Sequence, residues 1–349
     1  MTRTVTLHDI AVAAHVADST ASKALNGTGR ISAETRRRVR DIATMRGYVG
    51  PRKSGAVSNS RTGLIGIVTA DSTGRFALPL LMGVERALGA RNHAALLMVS
   101  RGVPELERSH INQLSAQGVD GLIIAGNSGN VRMAVDKRIL GSLPSVYVYD
   151  PSNDPNDCSL VCDNKEAGRK AIEYLLGIGR AHIAIVGGLD FFTATKDRER
   201  GALDVLQAAG IHPVELINDR WSEDWGERAG NLLMQRHRKI DAVYCLNDEI
   251  ARGICRVLQA NGHRIPEDIA VIGHDNWETL CVNVHPTLTT FDNELETMGR
   301  KAARYLLDAI NGRPHHGTFT VESRLVIRES SDAKRHDALH GSGWRAGLE

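Results

Sequence analysis

The sequence predicts an α/β protein: a small N-terminal helix-turn-helix head followed by a larger body of two lobes, each a doubly wound parallel sheet. Three observations predict it. Charge is segregated along the chain, residues 1–50 repeat apolar positions at helical spacing, and from Leu64 onward β-rich runs alternate with amphipathic stretches. At 349 residues and 42% hydrophobic content, the chain can fill two or three cores rather than one.

The net charge is only +2, but residues 1–62 hold eleven Lys or Arg against four Asp or Glu, so that segment stands at +7 and the remainder at −5. A compact positive head on an acidic body is the electrostatic footprint of polyanion binding, because each neutralised phosphate releases condensed counterions. Charge alone fits a solvated basic face equally well. Within the head, Leu7, Ile10, Ala11 and Ala14 share one face of a first helix. A second, Ser19 to Leu25, follows after a few residues, as a helix-turn-helix requires, and ends at Asn26 and Gly27, which tolerate the left-handed conformation. A third opens at Ser32, a suitable N-cap with Glu34 in the first turn, and runs through Val39, Ile42 and Ala43 to Gly47. Small residues on the inner faces suit close packing of short helices. Ser19, Thr20, Ser22 and Lys23 are left as hydrogen-bonding side chains for bases and phosphates.

Two segments, VTLHDIAVAAHVADSTASKALNG and ISAETRRRVRDIATMRGY, carry a specific resemblance. They resemble the headpiece of the LacI/GalR repressors, with that family's spacing across residues 5–48, and further similar segments follow along nearly the whole chain. The resemblance implies a sequence-specific, DNA-binding repressor whose recognition helix begins near Asp18. Family members usually place Ser, as a helix cap, where this chain has Ala17. Asp18 is therefore either a substitute cap or a specificity determinant that accepts from a cytosine amino group. The expected DNA-facing residues are Thr6, Asp18, Ser19, Thr20, Ser22, Lys23, Asn26, Arg30, Arg52 and Val57.

Between Tyr48 and Arg61, GPRKSGAVSNS is too poor in apolar residues to form a core and reads as a linker. In the resembling family this linker becomes a short helix on operator DNA, and a paired Leu wedges into the minor groove. Val57 holds that position here, and Gly55 lowers the stability of such a helix by about 1 kcal/mol relative to Ala. The hinge is expected either to order only on the operator or to stay a flexible tether.

In the body, LIGIVT, AALLMVS, GLIIAG, SVYVYD, HIAIVGG, DAVYCLN and IAVIGHD are strand-like runs separated by helical stretches. They fall into two sets around Cys158 to Gly168, and each set suits one lobe. Ligands of such lobes lie in the cleft at the strands' carboxyl ends. Those ends carry Asp71, Asp150, Asn247 and Asp275, with Phe76, Phe191, Phe192, Trp221 and Trp277 nearby, a mixture suited to a polyhydroxylated ligand. The segments VCDNKEAGRKAIEYLLGIGRAHIAIVGG, LNDEIARGICRVL, IPEDIAVIGHDN and HPTLTTFDN resemble those lining the family's effector cleft. The resemblance implies periplasmic-binding-protein-like lobes and effector roles for Arg198, Asn247 and Asp275, with Phe76, Trp221 and Asn293 as further wall positions. The full expected effector set is Arg75, Phe76, Asp150, Phe191, Arg198, Trp221, Asn247, Asp275 and Asn293. Asn247 and Asp275 are alternatively plain helix caps, and Trp221 a surface or core aromatic. Arg75 replaces a usual Pro, and Cys162 a bulkier residue of some members. The Arg75 guanidinium either favours a phosphorylated or acidic sugar or points to solvent.

The expected division is a headpiece at 1–50, a hinge at 51–61, an effector and dimerisation domain at 62–330, and a flexible tail at 331–349. Within the domain, the N-lobe takes about 62–160 and 293–320, and the C-lobe about 161–290 and 321–330. Pairing two headpieces on a pseudo-palindromic operator predicts a homodimer, and the tail lacks the sustained heptads of a tetramer-forming helix. The partners expected are double-stranded DNA and a carbohydrate effector, with no membrane, cofactor or metal. Cys158, Cys162, Cys245, Cys255 and Cys281 form no CxxC pair, as in reduced, buried thiols. The opening residues lack a secretory signal, so a cytoplasmic location is expected. A rival reading is a sugar-binding transport protein of the periplasmic type, which needs a signal in place of residues 1–60. A sugar-modifying enzyme is more distant: no GxGxxG follows a strand, GxxxxGK[ST] is absent, and GNSGN lacks the GxSxG spacing. His15, His274, His315 and His316 read as solvated or structural.

Overall fold

A computed structural model describes residues 5–26, 28–46, 61–89, 93–236 and 239–332. The hinge positions Arg52, Gly55 and Val57 and the tail from residue 333 lie outside them. The chain divides into two compact units, Met1–Ser60 and Arg61–Glu349.

The first unit holds α1 (Leu7–Ala13), α2 (Asp18–Asn26) and α3 (Ala33–Met45). Thr6 opens α1 with a capping box: its hydroxyl accepts from the Asp9 N–H, and the Asp9 carboxylate accepts from the Thr6 N–H at 2.8 Å. Ser32 caps α3 by accepting from the Thr35 N–H at 3.1 Å. The side chains that meet inside are Ile10, Ala11, Ala14, Ala21, Ala24, Val39 and Ala43, mostly small, and so the helices approach closely. The turn between α1 and α2 passes through His15 at φ 51°, a left-handed conformation usually left to glycine.

In the second unit, strands and helices alternate. The first lobe begins β1 (Leu64–Thr69), α4 (Ala77–Gly89), β2 (Ala94–Val99), α5 (Pro104–Ala116), β3 (Gly121–Ala125), α6 (Lys137–Leu140), β4 (Ser145–Val148) and β5 (Cys158–Cys162). The second follows with α7 (Asn164–Gly177), β6 (Ile183–Gly187), α8 (Thr193–Ala208), β7 (Glu215–Asn218), α9 (Glu223–Arg236), β8 (Ala242–Cys245), α10 (Asp248–Ala260), β9 (Ala270–His274), α11 (Glu278–Cys281) and β10 (Thr289–Asp292). The chain then returns through α12 (Leu295–Ile310) and β11 (Gly317–Val321) before β12 (Arg324–Val326). One sheet has the order β11-β5-β4-β3-β1-β2, all parallel. The other has the order β12-β10-β9-β8-β6-β7, parallel except for β12. Among the described residues the chain therefore passes between lobes three times, after β5, after β10 and after β11. The two lobes are one unit joined by a three-strand hinge.

Apolar residues fill both faces of each sheet, as helices on both faces require. The helix pairs that cover them meet backbone to backbone. A Cβ on Gly201 of α8 would lie 1.9 Å from the Lys165 carbonyl of α7, and one on Gly83 of α4 would lie 2.0 Å from the Glu296 carbonyl of α12. Glycine is the residue that lets these helices touch. Strands β5, β7, β10, β11 and β12 lie outside the runs read from sequence; of these β7, β10 and β12 are short, and β7, β11 and β12 are largely only half-buried or exposed.

Candidate functional site

The headpiece surface follows from how α2 is seated. Ala21 and Ala24 face inward, which leaves Asp18, Ser19, Lys23 and Asn26 exposed and Thr20 and Ser22 half-buried. Arg30 is exposed beyond the helix. The Thr6 hydroxyl is committed to capping α1. Asp18 is the first residue of α2, and its carboxylate meets Nδ1 of His8 at 3.2 Å. Among the described residues it takes no backbone N–H of the first turn, so the substitute-cap reading is not what the structure shows. The Ala17 carbonyl instead accepts from the Thr20 and Ala21 N–H groups.

The cleft lies between the lobes, where loops leave the carboxyl ends of the strands. A cavity of about 190 Å³ there is lined by Arg75 and Phe76 after β1, Ser128 after β3, Tyr149 after β4, Phe192 after β6, Trp221 after β7, Asn247 after β8 and Asp275 after β9, with Arg198 on α8. The β1 loop is held by Asp71. Its carboxylate accepts from the backbone N–H groups of Thr73, Gly74, Phe76 and Ala77. Burial raises the Asp71 pKa, but those hydrogen bonds outweigh it and hold the carboxyl below its usual value.

Asp275 is the electrostatic centre. It stands at φ 103°, outside the ordinary range for a side-chain-bearing residue, and Tyr149 opposite it stands at φ 75°. Asp275 Oδ1 accepts from Asn293 Nδ2 at 2.9 Å and lies 3.6 Å from Arg198 Nη2. Arg198 is buried, and its Nε and Nη1 donate to Asn164 Oδ1 at 2.8 Å and the Leu246 carbonyl at 2.5 Å. Burial lowers its pKa from the ordinary value. Asn247 does two jobs: its Oδ1 accepts from the Ile250 N–H at 2.8 Å, capping α10, while the residue also lines the cavity. Aromatic faces complete the wall. The rings of Phe76 and Tyr149 lie 5.0 Å apart, and those of Phe192 and Trp221 lie 6.2 Å apart.

Several expected residues sit elsewhere. Asp150 does not line the cavity; its carboxylate accepts from the Ser128 and Gly129 N–H groups at 2.9 and 2.6 Å and so shapes the loop that does. Phe191 is 58% exposed and stacks on Phe192, the ring that reaches inward. Asn293 is buried behind Asp275, bonded also to Tyr149 Oη and His274 Nε2. Burial holds His274 well below its ordinary pKa, so it is a neutral strut. Arg75 does not point to solvent. Its guanidinium crosses to the second lobe, bonding Asp275 Oδ2 and, at 3.2 Å, Glu249 Oε2. Asn127, Ser128 and Tyr149 also line the cavity, beyond the residues expected there. The only signal for them is their place just after a strand.

Comparison with known proteins agrees with this architecture. The family model described as bacterial regulatory proteins, lacI family, matches residues 6–50, and that of a periplasmic binding protein-like domain matches residues 172–331. The chain is 31% identical over 340 residues to the HTH-type transcriptional regulator CelR of Thermobifida fusca, covering 94% of this chain and 98% of that one. It is 27% identical over 328 residues to the HTH-type transcriptional regulator DegA of Bacillus subtilis, covering 92% and 95%. Among solved structures, a Lac repressor dimer bound to operator and an anti-inducer superposes with a TM-score of 0.79 at 23% identity, over 94% of this chain and 99% of that one. A complex of the regulator CelR with cellobiose superposes with a TM-score of 0.65 at 28% identity, over 94% and 100%. With a helix-turn-helix head, a two-lobed body and a relative above 30% identity along nearly its whole length, the chain belongs to the LacI family of bacterial transcriptional regulators.

Proposed function

We infer that this protein is a cytoplasmic repressor that binds a pseudo-palindromic operator as a homodimer and releases or tightens its grip when an uncharged sugar enters the cleft. The observation that carries the reading is the convergence of Asp275, Arg198 and Asn247 with the faces of Phe76, Phe192 and Trp221 in one cavity. Carboxylate, guanidinium and amide groups are donors and acceptors for hydroxyls, and aromatic faces take the C–H surface of a sugar ring. Arg75 and Arg198 are set against Asp275 and Glu249, two cations against two anions, which supports a neutral ligand over a phosphorylated one. The same ion pairs tie up the groups that an enzyme would need as acid and base, which supports binding without turnover. Among the described residues, no helix is long and apolar enough to cross a membrane.

Lobe closure around the ligand would alter how the paired bodies present their headpieces. Cellobiose in the CelR complex supports a carbohydrate effector. The test is fluorescence anisotropy with operator DNA selected by the full-length protein, repeated with a panel of mono- and disaccharides and their phosphates. A sugar that shifts operator affinity while its 6-phosphate does not is the expected result. A phosphate ester as the better effector would overturn the neutral-ligand reading, and equal affinity for selected and random DNA would overturn the operator reading.

A further inference from the structure

One side chain decides how far the cavity extends. Arg75 stands in the turn before α4, whose backbone Asp71 fixes through four N–H groups, so its starting point is rigid. From there the guanidinium lies between two aromatic faces, 4.9 Å from the Phe76 ring centre and 5.3 Å from that of Trp277. It ends on Asp275 and Glu249 of the second lobe, and its side chain is only 11% exposed. Arg75 Nε finds no partner among the described residues.

Behind this side chain lies a second space, a groove of about 660 Å³ bordered by Arg75, Asp275, Trp277 and Arg300, among others. Arg75 and Asp275 are walls of both spaces, so their ion pair is the partition between them. On its inner side the cavity of about 190 Å³ falls below the roughly 300–1,000 Å³ of pockets that enclose drug-sized ligands. The Arg75 contact also occupies the Asp275 oxygen that Asn293 leaves open. A second clasp bridges the lobes elsewhere: Asn130 Oδ1 accepts from the Thr193 N–H at 2.7 Å and from its hydroxyl at 3.0 Å. Removal of Arg75 alone would therefore open the partition without freeing the lobes altogether.

We propose that Arg75 is the length-selecting residue of the cleft, a cross-lobe bar on Asp275 and Glu249 that restricts the ligand to a single sugar ring and keeps glycosyl extensions out of the groove behind. This rests on the reading of the cleft as a sugar site. A disaccharide lying through the partition would have to break both ion pairs, whereas a monosaccharide leaves them in place. A smaller residue at position 75 joins the two spaces.

The test measures calorimetric binding of glucose, galactose, ribose, cellobiose and lactose to the full-length protein and to Arg75→Ser. The wild type should prefer a monosaccharide, and Arg75→Ser should gain at least about tenfold in disaccharide affinity relative to that monosaccharide. A disaccharide as the best wild-type ligand, or an unchanged preference in the variant, overturns the proposal. A ligand-independent arm places a reporter thiol at Ser128→Cys and compares its reaction with a small methanethiosulfonate and a bulky maleimide. Arg75→Ser should speed the bulky reagent about tenfold and the small one little; equal rates in both backgrounds overturn the proposal. If neither protein binds a sugar, the sugar reading falls while the reagent arm still decides whether Arg75 bars the cleft. Arg75→Lys, with the charge but a single donor head, serves if Arg75→Ser does not fold, and should admit cellobiose to an intermediate degree; no gain for cellobiose there overturns the proposal.

Discussion

The headpiece and the cleft hold their specificity in opposite ways. On α2 most residues proposed to read DNA are exposed: Ser19, Lys23 and Asn26 stand on the surface, Asp18 with its His8 contact is solvated, and Thr20 and Ser22 are half-buried. In the cleft, Arg198, Asn247 and Asn293 are buried and the Asp275 side chain is nearly so, and each is already held within the protein: Arg198 by Asn164 and the Leu246 carbonyl, Asn247 by the Ile250 N–H, and Asp275 by Asn293. The difference teaches that one surface is built to be completed by its partner and the other is preorganised around a space. Losing a side chain should thus weaken binding without unfolding in the first case, and do both in the second.

The sharpest way to break that comparison is Arg198→Ala. It leaves Asn164 and the Leu246 carbonyl without their donor and Asp275 with Arg75 as its remaining cation, and removing one member of a buried charged set destabilises by about 3–5 kcal/mol. Urea unfolding checks this, and a loss below about 0.5 kcal/mol, the scale of a surface substitution, would show that the cleft is not preorganised. Next in size is the effect of Asp248, buried beneath the cleft. Burial pushes its carboxyl up to about 6, against hydrogen bonds from Thr290, Trp277 and Cys281. A raised folded pKa means the contribution is fully present below the unfolded value near 4 and is lost as pH rises through about 6. The difference in unfolding free energy between wild type and Asp248→Asn should therefore change by on the order of 2 kcal/mol between pH 4 and 7, with the wild type relatively weaker at pH 7. A pH-independent difference would refute it.

On the headpiece side, Lys23→Ala should leave thermal unfolding within about 0.5 kcal/mol of wild type while weakening operator binding by about 1 kcal/mol or more. If Lys23 meets a phosphate, the slope of log affinity against log salt should also fall by about 1. Unfolding on this substitution would erase the contrast drawn above. The smallest effect sharpens it instead. His15→Gly relieves a left-handed residue between α1 and α2 and should stabilise the headpiece by up to about 1 kcal/mol, read as slower amide exchange in α1 and α2. Its operator affinity should change little, because no expected reader is touched.

Much of this organisation was legible in the chain itself. The charge division at residue 62, the helix faces of Ile10, Ala21 and Val39, and the runs that became β1, β3, β6, β8 and β9 are local properties, carried by spacing of three, four or two residues. The positions of Asp275, Arg198, Asn247, Phe76 and Trp221 at the cavity were legible as strand ends and through family resemblance. Which neighbour faces inward was not. Phe192 rather than Phe191, Ser128 rather than Asp150, and Arg75 bonded across to Asp275 and Glu249 are settled by how two lobes, joined by three crossings, close on each other. The sequence by itself determined the elements and their chemistry, because periodicity and charge are written within one or two turns of chain. Only the tertiary structure decided the partners, because the two ends of the Arg75–Asp275 contact lie 200 residues apart and meet only once both lobes exist.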